Sequence, residues 1–199
     1  MSKTIHPTKE RLIETVAEML DGEHPQEIHV DDVLAVSGIS KGSLYHHFED
    51  FPDLIEATLV HRFAAGVDET TRAMTHILTT ATGSEDFWDK MYDVTVASQD
   101  PARAHFRAER ARIIGLAASS DRFRDSIASE QDRLTDAMGE LILDAQHKGW
   151  VRDDVDPRAI AVFLQAYTLG RAVDDIASNH IDPNEWNRLI SIVTAPFRA

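Results

Sequence analysis

The sequence predicts an all-α protein, and three observations carry that expectation. Apolar residues recur at steps of three, four and seven through most of the 199 residues. The nine glycines and seven prolines fall mostly between those stretches, where helix ends belong. No alternating run bounded by hairpin turns appears, nor any internal repeat or low-complexity tract.

A first helix is expected from about Thr8 to Leu20, with Leu12, Val16, Met19 and Leu20 on one stripe and Ile13 and Ala17 beside it. Asp21-Gly22-Glu23-His24-Pro25 ends it. A short helix near Asp31–Val36 and another from Ser40 follow. Phe51-Pro52 opens a longer helix that runs into the mid-seventies, proline being suited to a first helical turn. Thr79 to Glu85 reads as a loop, with Ser84 as cap for a helix through Trp88, Met91 and Tyr92. Pro101 opens the next helix, to about Ala118. From Asp121 an amphipathic helix carries Phe123, Ile127, Leu134, Met138, Leu141 and Ala145, and stops at Lys148-Gly149. Asp156-Pro157 and Asp182-Pro183 each supply an aspartate cap followed by proline. The last helix presents Trp186, Leu189, Ile190, Val193 and Phe197.

The penultimate helix is apolar on two faces. Ile160, Phe163, Leu164 and Tyr167 form one stripe, and Ala159, Val162, Ala166, Leu169, Val173 and Ile176 another. Both must be covered. Either the helix is fully buried in a monomer, or its own domain covers one face and a second copy the other, with Gly170 permitting close approach. The expectation is a homodimer through helices 157–179 and 183–197.

Length allows one domain or two small ones. A hydrophobic share of 43% and a charged share of 27% are ordinary for a globular protein. The apolar runs fall far short of the roughly 20 residues of a membrane span, and the first seven residues lack the apolar core of a signal peptide. A cytoplasmic protein is expected. The absence of cysteine excludes disulfides, thiolate zinc sites and cysteine nucleophiles. Net charge is −14. Residues 1–60 hold four Lys/Arg against twelve Asp/Glu, a balance of −8.

Residues Ile28 to Phe48 have the pattern of a helix-turn-helix. Asp31 to Val36 supply a first short helix, Ser37-Gly38-Ile39 a tight turn, and Ser40 a cap for a second helix from Lys41 to about His47. Val33, Ile39, Leu44 and Phe48 are placed to face inward. A helix of this kind fits the major groove with its first turns toward the bases. Lys41 suits a phosphate or a guanine edge, and Ser43 and Tyr45 are donors to either. His46 and His47 donate or accept and gain charge in mild acid. Gly42 permits close backbone approach. The candidate DNA-binding set is Lys9, Ser40, Lys41, Gly42, Ser43, Tyr45, His46 and His47. The acidic balance argues against strong phosphate attraction, so a helix pair with a merely polar surface stays open at this point.

The run Ser40-Lys41-Gly42-Ser43-Leu44-Tyr45-His46-His47-Phe48 closely resembles the recognition-helix signature of the TetR family of transcriptional regulators. The layout of the whole chain is similar too, including Gly149 to Pro157 as the approach to a dimerising helix. The resemblance implies a helix-turn-helix DNA-binding domain at 1–50 and a helical ligand-binding and dimerisation domain at 51–199. It implies a repressor on a palindromic double-stranded DNA operator, released by a small-molecule effector, with Phe51 to about Ile77 as connecting helix. Three positions depart from the family pattern. Leu34 stands where a small residue is usual, His29 where a hydroxyl cap is usual, and Phe51 where a phosphate-binding lysine is common. Moderate, weakly salt-dependent affinity is the expectation. The rival reading is a helical ligand- or protein-binding dimer with weak or no DNA binding.

The candidate ligand-binding residues are Phe63, Trp88, Tyr92, Phe106, Arg107 and Tyr167, with plain core as the alternative for most of the aromatic ones. Met74 and Met91 are further large side chains of the same helices. Trp and Tyr carry a polar group that wants a partner when buried. Arg103, Arg107 and Arg110 share one face, either to capture an anionic ligand or as a solvated charged face. No cofactor, metal or enzyme activity is expected: Asp144 and His147 form one carboxylate–imidazole pair where a dinuclear site needs two, and no His-Glu-x-x-His run, phosphate loop or nucleophile elbow occurs.

Overall fold

The computed structural model describes residues 6–22 and 25–199. The leader reading at Met1 to Ile5 and the helix stop at Glu23-His24 lie outside the described residues. Ten α-helices follow within them: α1 (Pro7–Met19), α2 (Val30–Ser37), α3 (Lys41–His47), α4 (Phe51–Thr80), α5 (Ser84–Gln99), α6 (Ala104–Ser119), α7 (Asp121–His147), α8 (Pro157–Gly170), α9 (Ala172–Asp175) and α10 (Pro183–Thr194). Single 3-10 turns occupy Pro101–Arg103 and Ala195–Phe197. There is no strand among the described residues, only an isolated antiparallel bridge between Val151 and Arg198. The all-α expectation holds.

Two compact units divide the chain, one ending at Gly66 and one beginning at Val67. The division falls inside α4, because the first half of that helix supplies Leu54 to the core of the first unit.

In the first unit, Leu12, Ile13 and Val16 of α1, Ile28, Val33, Leu44, Phe48 and Leu54 form one buried cluster. Full burial of each such side chain stabilises by about 1.5–3 kcal/mol. The turn residues that the sequence pointed to behave as expected. Gly38 has φ 70°, a left-handed conformation that side-chain-bearing residues resist. The Ser43 N–H donates to Ser40 Oγ at 3.2 Å, capping α3. Arg62 of α4 donates to the Ala17 carbonyl at 2.8 Å and pairs with Asp21 at 2.7 Å, tying α4 to the end of α1.

In the second unit, Ser84 is the first residue of α5, and its cap position belongs to Gly83. The stabilising group is Asp86 instead, whose carboxylate accepts from the Thr82 N–H at 2.8 Å and pairs with Lys90. These bonds hold the Asp86 pKa down at about 2. Asp156 and Asp182 cap α8 and α10 as expected, accepting from Ala159 and Asn184 at 2.8 Å. Gly149 has φ 70° just beyond α7. At Gly139 an added Cβ would lie 3.7 Å from the Arg158 Cα, an ordinary contact where α8 passes α7.

The penultimate helix, expected to run unbroken to residue 179, breaks after Gly170 and ends at Asp175. Arg171, 3% exposed, is the reason. Its guanidinium lies 3.3 Å from Asp174 and stacks 5.5 Å from the Trp186 ring centroid, and those contacts fix the turn. The last helix ends at Thr194, and Pro196, lacking an N–H, sits in a 3-10 turn.

Candidate nucleic-acid interface

The helix-turn-helix separates its side chains cleanly. Leu44 and Phe48 are buried and anchor α3 to the first unit's core, while Ser40, Lys41, Gly42, Tyr45 and His46 are exposed and Ser43 and His47 half-buried. Tyr45, a large side chain 43% exposed, has no packing reason to sit there. Besides capping α3, the Ser40 hydroxyl donates to Ser43 Oγ at 3.1 Å, so both hydroxyls sit at the helix start beside its free amides.

Lys9 reaches this surface from α1, its Nζ 5.0 Å from the Phe48 ring centroid. His6 arrives the same way, its ring centroid 4.7 Å from that of His47, which in turn lies 5.0 Å from His46. Sequence reasoning missed His6. It precedes Pro7 as the cap of α1, and its Nδ1 accepts from the Thr8 N–H at 3.2 Å. Partial burial, then the neighbouring His6, His46 and Lys9, push the His47 pKa below its ordinary value.

The three departures have structural counterparts. His29 occupies the cap position of α2 but makes no side-chain cap bond. Leu34 and Phe51 both pack, partly buried, against the first unit's core. Phe51 thus serves packing at a place where a lysine would serve phosphate.

Residues 103–199 match the family described as "Transcriptional regulator SbtR-like, C-terminal domain". Over that span the chain matches a C-terminal domain of the TetR family. The fold is that of solved TetR-family structures. Reduced Escherichia coli NemR aligns at TM-score 0.67 and 18% identity, covering 98% of this chain and 99% of that one. GusR of Salmonella enterica aligns at TM-score 0.64 and 22% identity, with 98% of each chain covered. The ketosteroid transcriptional regulator KstR2 of Mycobacterium tuberculosis aligns at TM-score 0.52 and 18% identity, over 98% and 97%. No curated protein matches the sequence.

The candidate ligand-binding residues are spread over both units. Phe63 belongs to the first unit and the other five to the second. Tyr92 and Phe106 are 44% and 54% exposed. The Trp88 indole donates to the Trp150 carbonyl at 2.8 Å, and the Tyr167 hydroxyl lies 3.1 Å from Thr95 Oγ1. Burial raises the Tyr167 pKa, so its hydroxyl stays protonated. An open surface hollow of about 460 Å³ at the start of α5 is lined by Thr82 to Asp86 and Asp89, none of them a candidate.

Arg107 departs from both readings of its helix face. It is 4% exposed, neither solvated nor open to a ligand. Its Nε and Nη2 grip Asp175 at 2.6 and 2.8 Å, and its Nη1 donates to the carbonyls of Ser98 and Asp100. This bidentate pair fastens α9 and the turn after α5 to α6. Arg103 stacks 5.7 Å from the Phe106 centroid, and Arg110 donates to Gln131 and Gln165 at 2.8 and 3.2 Å. Among the described residues no group of three His, Asp or Glu is placed to hold a metal ion, and no helix is long and apolar enough to cross a membrane.

Proposed function

We propose that this transcriptional regulator is a repressor that binds a palindromic operator as a homodimer and is released by a small-molecule effector. The observation that carries the reading is α3: a short helix fixed from beneath by Leu44 and Phe48, with Lys41, Tyr45 and His46 turned outward. Residues 1–50 are the proposed DNA-binding domain, buttressed by the start of α4, and residues 51–199 the proposed ligand-binding and dimerising part. NemR, GusR and KstR2 lend the family logic, in which ligand and operator favour different conformations.

The dimer is supported by the faces of α8 and α10. Ala159, Val162, Ala166 and Gly170 are all exposed and fall on one stripe of α8. Leu189, Ile192 and Val193 are exposed on α10, and Val173 and Ile176 between them are 76% and 88% exposed. Apolar side chains left outside in this number mark an association surface, and the small residues of α8 admit close helix contact. Replacing Val162 with arginine is expected to yield monomers in sedimentation while helicity is kept. Trp88 and Tyr167 are retained as effector contacts, with Arg107 assigned to the fold. DNA as partner implies a cytoplasmic protein, and no catalytic role is proposed.

A gel shift with the DNA upstream of the chain's own gene, at low salt, tests the reading. Retention with a shallow salt slope is expected. A slope of log affinity on log salt near about −6 or steeper would contradict so sparse a basic surface. No retention at any salt by the folded protein would leave the rival reading, a helical dimer without DNA binding. The −8 charge of residues 1–60 and the burial of Phe51 favour that rival.

A further inference from the structure

Four nitrogen bases meet at the edge of α3: His6 and Lys9 from α1, His46 and His47 from α3. The three rings form a continuous series, centroids 4.7 and 5.0 Å apart. Lys9 lies over the adjoining Phe48 ring. The groups acting on His47 are all bases, namely His6, His46 and Lys9, and no carboxylate is among them. Of the acidic residues nearest along the chain, Glu10, Glu49, Asp50 and Asp53, the last two have backbone partners of their own. Asp53 accepts from the Glu49 N–H at 3.0 Å, and Asp50 accepts from the Asp53 N–H at 2.7 Å. This arrangement is unusual in a stretch that carries twelve carboxylates to four Lys/Arg.

We infer that His6, His46 and His47 form a proton-gated phosphate-binding patch, so that DNA affinity rises as the solution acidifies. The inference rests on the DNA-binding reading and adds its regulation. Without DNA, partial burial and then the neighbouring His6, His46 and Lys9 hold the His47 pKa below its ordinary value. A phosphate placed against them reverses the balance, because an anion favours the charged form. Binding and protonation therefore promote each other. Three protons would remove three of the eight net negative charges of residues 1–60.

His6 adds a structural component. Its Nδ1 accepts the Thr8 N–H, and an imidazolium has two donors and no acceptor. Protonation thus releases the ring from the start of α1 and turns it into a donor for an incoming phosphate. The gain in charge on the DNA side therefore comes with loss of a helix cap.

The test is fluorescence anisotropy with a labelled duplex of about 30 base pairs from upstream of the gene, at one fixed ionic strength. It compares pH values from about 8 to about 5.5, around the histidine range. The wild type is expected to bind about tenfold tighter at the acid end, and the His6→Asn/His47→Gln double variant to change by less than about twofold. Asparagine can still cap α1, and circular dichroism at each pH confirms folding. The His147→Gln variant, an exposed histidine at the end of α7, is expected to keep the wild-type response. Binding without pH dependence, or equal dependence in the double variant, would overturn the inference and leave the DNA-binding reading intact. No binding at any pH would overturn both. Should the double variant fail to fold, the wild type's histidine proton resonances decide: the His47 midpoint is expected to move up on adding duplex, and an unmoved midpoint refutes the patch.

Discussion

Residues up to Gly66 hide eight apolar side chains in one cluster and turn polar ones outward, whereas residues from Val67 hold Arg107 inside and leave Val162, Val173 and Ile176 outside. The first arrangement is that of a unit complete by itself, whose surface is free for a polar partner. The second adds a buried charge pair to an apolar core that includes Phe123, Leu134 and Ile160, and leaves further apolar side chains exposed. What each unit keeps inside differs, and so should its response to damage.

The largest expected effect is in the second unit. Replacing Arg107 with alanine strands the Asp175 carboxylate, 13% exposed, and two backbone carbonyls. Breaking such a pair costs about 3–5 kcal/mol. Thermal denaturation of the variant measures it, and a cost below about 1 kcal/mol would demote the pair to the level of a surface contact. In the first unit the sharpest point is Gly38. Alanine there must adopt φ 70°, at a cost of about 1–2 kcal/mol, read from denaturant unfolding. A Gly38→Asn variant should recover part of the loss, since asparagine tolerates that conformation.

Acid separates the units without mutation. The His47 pKa is lowered in the folded protein by partial burial and neighbouring bases, so its contribution is complete above the ordinary value of 6.5 and fades as pH falls below it. The Asp175 pKa is lowered by its bonds to Arg107, so its contribution is complete above the ordinary carboxylate value of 3.8 and is lost as pH falls further. Probes of the first unit should therefore weaken in milder acid than probes of the second. Tyr45 fluorescence and the signals of Trp88 and Trp186 can follow the two. Simultaneous loss at one pH would show that neither titration governs its unit.

Much of this was legible in the residues. Gly38, Ser40, Asp156 and Asp182 mark turns and caps by local chemistry, and each occupies the place its type requires. The helices follow from apolar spacing, and the helix-turn-helix from its wording. What was not legible depends on partners distant in sequence. Arg107 looks like a surface base until Asp175 is brought to it. Phe106 looks like core and is 54% exposed. The break after Gly170 follows from Arg171 finding Trp186 and Asp174, contacts that no helical period encodes. His6 was overlooked because a lone histidine before proline carries no signal until His47 lies beside it.

The Arg107–Asp175 pair also sets a timetable for synthesis. The partners are 68 residues apart in the chain, so a ribosome adding about 5–20 residues per second delivers Asp175 roughly 3–14 s after Arg107. The first unit is fully emerged by then and able to fold. During that interval α6 holds a guanidinium whose counter-charge has not yet been made. Nascent chains stalled before residue 175 would expose that helix to chaperones and proteases, while the same stall leaves the N-terminal cluster intact.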